Sequence, residues 1–142
     1  METLQLIIPD LPLKEYQKDY KTIIEQYKLN LIFLITPQTD LERIRLIDGI
    51  SSGFIYLVTS SNITGNTTTF KESQLSYLDQ VRGLALKNPI LAGFGICNKT
   101  NFDTVNKYVN GAIIGSEFIR ALNKDPFNLE YSIKNFVNSI LL

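Results

Sequence analysis

The chain has 142 residues, with 44% hydrophobic residues and 14 basic side chains balanced by 14 acidic ones. That length predicts a single domain with a core of its own, and the balanced charge gives no electrostatic basis for binding nucleic acid or an anionic membrane. One cysteine, Cys97, excludes an intrachain disulfide, and the absence of histidine excludes His-dependent triads, His-ligated metals and imidazole acid–base work. Cys97 reads as a packing residue. The start, acidic at Glu2, lacks the basic segment of a signal peptide, and the apolar runs at Leu4–Ile8 and Leu31–Ile35 are too short to span a bilayer. The expectation is a cytoplasmic protein without metal or cofactor.

In chain order, Leu4–Ile8 is a strand ended by Pro9-Asp10-Leu11-Pro12, where two prolines remove backbone donors. A helix is predicted from Leu13 to Lys28, with Tyr16, Tyr20, Ile23, Ile24 and Tyr27 on its inward stripe. Leu31–Ile35 is apolar at every position, as in a parallel strand covered on both faces. Thr39-Asp40-Leu41-Glu42 has capping-box spacing for a short helix carrying Leu41, Ile44 and Ile47. Phe54–Val58 is the third strand, and Thr59 to Thr69 is a long polar loop of the kind that covers functional sites. A helix follows from about Gln74 to Leu86, with Leu75, Leu78 and Val81 inward and Gly83 reading as an early helix end or a packing compromise.

Asn88 to Ile119 organises the rest. Ile90-Leu91-Ala92 runs into Gly93-Phe94-Gly95, a helix is predicted from Asn98 to Val109, and Ala112-Ile113-Ile114 runs into Gly115-Ser116 at another helix start. Glycine permits close backbone approach, and a helix N-terminus favours negative charge. Two neighbouring strands ending this way can therefore hold one anion between them, as phosphates are held after the last strands of many α/β barrels. A last amphipathic helix carries Leu129, Ile133, Phe136, Val137 and Ile140. Five strands alternate with helices and no linker separates them, so the fold class is α/β with a parallel sheet. Gly49, Gly53 and Gly111 read as turn residues. Tyr56, taken alone, reads equally well as core or as a substrate contact.

Six segments in order carry a resemblance: Ile8–Pro12, Phe33–Pro37, Gly53–Leu57, Ile63-Thr64-Gly65, Gly93–Ile96 and Gly111–Ser116. Together the chain resembles the C-terminal portion of the tryptophan synthase alpha subunit family, about strands four to eight of a (β/α)8 TIM barrel. The resemblance implies a lyase that cleaves indole-3-glycerol phosphate to indole and glyceraldehyde 3-phosphate in tryptophan biosynthesis, alongside a beta subunit. It places phosphate binding on Gly65, Phe94, Gly95, Gly115 and Ser116. Ile7, Ile35, Tyr56 and Thr64 fall in the substrate pocket, Thr64 helping to close the loops, and Asp10 becomes an orienting or partner-contact residue. Ser60 and Asn62 stand where the family loop commonly has arginine and glycine. The family's glutamate base and aspartate acid have no counterpart in this chain.

The implied state is therefore a truncated barrel, inactive alone, that recruits an N-terminal fragment, self-associates or is marginally folded. Two other readings stay open: a non-catalytic half-barrel for phosphate binding or assembly, and another phosphate-binding barrel such as a sugar-phosphate isomerase or epimerase. Against the last stand Pro9–Pro12 and Ile63-Thr64-Gly65, which a general phosphate cradle does not require.

Overall fold

The computed structural model describes residues 4–9, 11–59, 70–93 and 95–142. Strand β1 (Gln5–Ile7) leads into a helix that runs from α1 (Leu13–Glu15) through a π-helical stretch (Tyr16–Tyr20) into α2 (Lys21–Gln26). Strands β2 (Asn30–Ile32) and β3 (Leu34–Ile35) follow, then α3 (Leu41–Ile50), β4 (Ile55–Val58) and α4 (Glu72–Gly83). The rest is β5 (Ile90–Gly93), α5 (Lys99–Val105), β6 (Gly111–Ile113), α6 (Ser116–Lys124) and α7 (Leu129–Leu141). Every strand pairing is parallel: β1 with β2, and β3-β4-β5-β6 in sequence order. Only Phe33 separates β2 from β3, so the two form one strand path, pairing with β1 in its first half and β4 in its second.

Register partners in a parallel sheet share a face, and successive residues alternate. Ile35, Leu57, Ala92 and Ala112 therefore point one way, with Leu31, Phe33, Ile55 and Ile90 in phase with them. All but Ala112 are buried, in a core shared with Ile44, Ile47, Leu78, Val81 and Val105 from the helices. The other face presents Ile7, Leu34, Tyr56, Val58, Leu91 and Ile113, none of them fully buried, together with Ile32, which is the one buried apolar side chain on it. One face is roofed by helices and the other is open.

The helices start as the sequence suggests, with small shifts. Asp40 rather than Thr39 caps α3, accepting the Arg43 N–H at 2.8 Å, while the Thr39 hydroxyl accepts the Thr36 N–H at 3.0 Å. Ile44 and Ile47 are buried as expected, and Leu41 is exposed. Asn98 caps α5 through the Asn101 N–H at 2.8 Å. Helix α4 ends at Gly83, three residues before the predicted end.

Two predicted stripes are corrected. In the first helix only Tyr16 and Ile24 are buried, and Tyr20, Ile23 and Tyr27 are exposed. In a regular helix Ile23 and Ile24, seven and eight residues on from Tyr16, both fall on the inward stripe; a π turn adds one residue, which swings Ile23 out and centres Ile24. Tyr16 is held there edge-on to Phe33, with ring centroids 5.2 Å apart. In α7, Ile140 is buried and Phe136 packs on Phe118, but Leu129, Ile133 and Val137 are exposed. Among the described residues the sheet stops at β6, so nothing further covers that stripe.

At the end where strands begin, Asp48 clasps α3 to the start of β5. Its carboxylate accepts the N–H groups of Lys87 and Asn88, each at 3.0 Å, and the Asn88 side-chain amide at 2.8 Å. Partial burial pushes the Asp48 carboxyl up, but these donors and the nearby Lys87 charge outweigh it and hold it below the ordinary carboxylate value. A depressed folded-state value contributes stability above the unfolded value, near pH 4, which is lost as pH falls through the folded value. Asp48→Ala is expected to cost about 1–3 kcal/mol at pH 7. Urea denaturation at pH 7 and pH 3 checks it, because the variant and the parent should converge in acid.

Candidate functional site

The open face leads to the ends of the strands, where the glycine turns lie. Gly93 on β5 is the register partner of Ile113 on β6, so Gly95 and Gly115, each two residues further on, leave neighbouring strands at the same end of the sheet. Gly95 has φ +76°, a left-handed conformation that glycine adopts without strain. Gly115 has φ −101°, open to any residue, and a Cβ there would meet nothing within 4 Å. Neither conformation nor crowding demands glycine at 115. What its missing side chain leaves is open space against the first turn of α6, where Ser116 is exposed.

Tyr56 lies beside these turns. Its backbone pairs with Leu91, yet its ring reaches over Gly93, two residues closer to the strand ends. A Cβ on Gly93 would collide with the Tyr56 hydroxyl and with ring atoms Cζ and Cε1. Burial raises the phenol above its ordinary value, so it stays neutral at physiological pH.

Thr59 and Gln74 fix the approaches to this end, and the sequence reading missed both. The Thr59 N–H and hydroxyl donate to the Gly93 carbonyl at 3.0 and 2.9 Å. The Gln74 side-chain amide donates to the Thr59 carbonyl at 2.7 Å, and its oxygen accepts the Lys71 N–H at 2.8 Å. One glutamine thus joins the residues that flank 60–70. The only sequence signal was its place as the third residue of a helix, where Gln commonly reaches back to the N-cap N–H. A cleft of about 350 Å³ lies beside it, lined by Pro37, Ser73, Gln74, Ser76, Tyr77 and Gln80.

Of the expected site residues, Gly95, Gly115, Ser116 and Tyr56 gather at one end of the sheet. Ile7 shares the open face with Tyr56, 43% exposed, but on the edge strand β1. Ile35 does not join them. It has 0% exposure, and its register with Leu57 puts it on the helix-covered face, so a lining role for Ile35 is corrected to a core role. Asp10, Thr64, Gly65 and Phe94 lie outside the described residues. Among the described residues no group of His, Cys, Asp and Glu could hold a metal ion, and no helix is long and apolar enough to cross a membrane.

Parallel strands alternating with helices, with their turns gathered at the strands' C-terminal ends, define an α/β protein of the barrel class. A family model described as "Tryptophan synthase alpha chain" matches residues 2–140, and the chain belongs to that family. The alpha chain of Flavobacterium johnsoniae is 49% identical over 135 residues, covering 95% of this chain and 52% of the relative. The alpha chain of Bacteroides thetaiotaomicron is 45% identical over 123 residues, covering 85% and 48%. The chain thus spans about half the length of the curated relatives it matches. In fold it is similar to the tryptophan synthase A-subunit of Pyrococcus furiosus, with a TM-score of 0.79 at 23% identity over 97% of this chain and 55% of that one. It is likewise similar to a chain of the tryptophan synthase complex from Pyrococcus furiosus, with a TM-score of 0.77 at 22% identity.

Proposed function

We propose that this chain is the phosphate-holding part of a tryptophan synthase alpha-type lyase, which cleaves indole-3-glycerol phosphate to indole and glyceraldehyde 3-phosphate in tryptophan biosynthesis. The observation that carries this reading is the pair of glycine turns on registered neighbouring strands, with open space at Gly115 against the first turn of α6. Backbone N–H groups of Gly95, Gly115 and Ser116, with those of Gly65 and Phe94, bind the phosphate dianion, and the Ser116 hydroxyl adds a donor. Tyr56 borders the glycerol–indole portion as a neutral phenol, Ile7 contributes apolar lining, Thr64 helps to close the loop, and Asp10 orients or meets a beta-type partner. The acid–base carboxylates come from strand–helix units outside this chain. Because such groups contribute on the order of 10²–10⁴-fold each, the chain alone is expected to release no measurable indole.

Titration of ¹⁵N-labelled chain with glyceraldehyde 3-phosphate is expected to move the amide signals of Gly95, Gly115 and Ser116 together, saturating at millimolar concentration. Spectra unchanged at those three positions would remove the reading. A second reading, a phosphate-binding module with no catalytic role, rests on the same glycine turns, which hold an anion without any catalytic group. Supplying the rest of the barrel distinguishes the two: the first predicts that lyase activity appears, the second that only phosphate binding persists.

A further inference from the structure

The two glycine turns are organised differently. After β6 the chain runs straight into a helix: Gly115 is the N-cap of α6, and its carbonyl accepts the Ile119 N–H at 3.0 Å. The helix itself therefore aims the amides of that turn. After β5 no helix follows directly. α5 begins at Lys99, four residues beyond Gly95, and its cap Asn98 serves the first turn of α5. Gly95 is exposed, with its left-handed φ of +76°, so neither sheet nor helix fixes the way its amide points.

What fixes this turn is at its near end. Thr59, 3% exposed, donates twice to the buried Gly93 carbonyl, through its N–H at 3.0 Å and its hydroxyl at 2.9 Å. The N–H continues the β4–β5 ladder, one residue past the Val58–Gly93 pair. The hydroxyl is an addition that the ladder does not need. A carbonyl oxygen has two lone pairs, and with both engaged its peptide unit is held against rocking. Peptide units are planar, so holding the carbonyl also holds the amide bonded to it, where the turn starts. Thr59 is itself held: the Gln74 side-chain amide donates to its carbonyl at 2.7 Å, and the Gln74 oxygen accepts the Lys71 N–H at 2.8 Å. At the far end the buried Asn101 side chain accepts the Cys97 N–H at 3.4 Å. A buried hydroxyl needs an acceptor wherever it lies. This one goes to a carbonyl that is already bonded, at a strand end whose turn lacks a helix.

We propose that Thr59 is a positioning residue for the phosphate: its hydroxyl locks the Gly93 peptide, so that the amides of the turn to Gly95 face the anion before it arrives. The proposal rests on the phosphate reading above. A turn set in advance loses little freedom on binding, which preserves affinity.

Thr59→Val keeps the shape and the ladder N–H and removes the hydroxyl, whereas Thr59→Ser keeps the hydroxyl and removes a methyl. Both variants and the parent 142-residue chain are ¹⁵N-labelled and titrated with inorganic phosphate. Before phosphate is added, the Gly95 amide signal is expected to move in Thr59→Val and to stay near the parent's in Thr59→Ser. Gly115 and Ser116 should stay in place in both. Phosphate affinity should fall about threefold to tenfold in Thr59→Val, the contribution of one neutral hydrogen bond, and stay within about twofold in Thr59→Ser. A merely structural role would make affinity follow thermal stability, which the lost methyl lowers in Thr59→Ser as well. Thermal melting of the three chains supplies that comparison. Gln74→Met removes the tie to the Thr59 carbonyl and should move the Gly95 signal to a smaller degree, which keeps the test open if Thr59→Val does not fold. A parent that binds phosphate while Thr59→Val binds as tightly, Thr59→Ser weakened as much as Thr59→Val, or a Gly95 signal unmoved by Gln74→Met would overturn the positioning role and leave the phosphate reading standing. A parent whose three amides ignore phosphate would sink that reading and the positioning role together.

Discussion

Gly93→Ala is expected to destabilise the chain by about 1–3 kcal/mol and to drive Tyr56 from its place beside the glycine turns. The added Cβ falls on the hydroxyl end of the Tyr56 ring. The backbone cannot retreat, because the Gly93 carbonyl takes two hydrogen bonds from Thr59 and the residue is in register with both Val58 and Ile113. The ring must therefore swing into the open face. Once less buried, its phenol should titrate closer to its ordinary value, which ¹³C-tyrosine NMR reads directly. In a Tyr56→Ala background the same glycine change should cost far less, since the obstacle is gone. Equal costs in the two backgrounds would assign the effect to the glycine backbone instead.

Gly115→Asp is expected to separate binding from folding. A Cβ at this position meets nothing within 4 Å, and φ −101° suits any residue, so the fold should tolerate the change. Gly115 is the N-cap of α6, where aspartate is preferred over glycine by a few tenths of a kcal/mol. A carboxylate there also interacts favourably with the positive end of the helix. Stability should hold or rise slightly, while phosphate binding falls about tenfold or more, because the new charge occupies and repels the anion's place. Thermal melting and the amide titration described above, run on the same sample, give the two signs. Gly115→Ala, which adds bulk without charge, should weaken binding less. Unchanged phosphate binding in Gly115→Asp would move the anion elsewhere.

Much of this arrangement was legible because the signals are local. Turn chemistry at Pro9–Pro12, Gly93–Gly95 and Gly115-Ser116 separates short apolar runs, and each run became a strand or part of one. The cap at Asn98 follows from a side chain within three residues of the amide it satisfies, whereas at α3 Asp40 takes the place that the capping-box spacing gave to Thr39. Where one residue shifts the phase, local reading fails. The π turn at Tyr16–Tyr20 swung Ile23 out of the inward stripe and left Ile24 in it, and periodicity carries no mark of such a turn.

By itself the amino-acid sequence determined the class of the protein, the order of its elements, and the neighbouring glycine turns, because hydrophobic runs, turn residues and caps act over a few positions. Only the tertiary structure decided which face each strand residue takes. Leu31–Ile35 is apolar throughout, so nothing in that run distinguishes Ile35 from Leu34, and the pairing with Leu57 sends Ile35 to the roofed side. The reach of Tyr56 over Gly93 and the Thr59–Gln74 tie were decided the same way. Each depends on strand register, which brings together residues far apart in the chain.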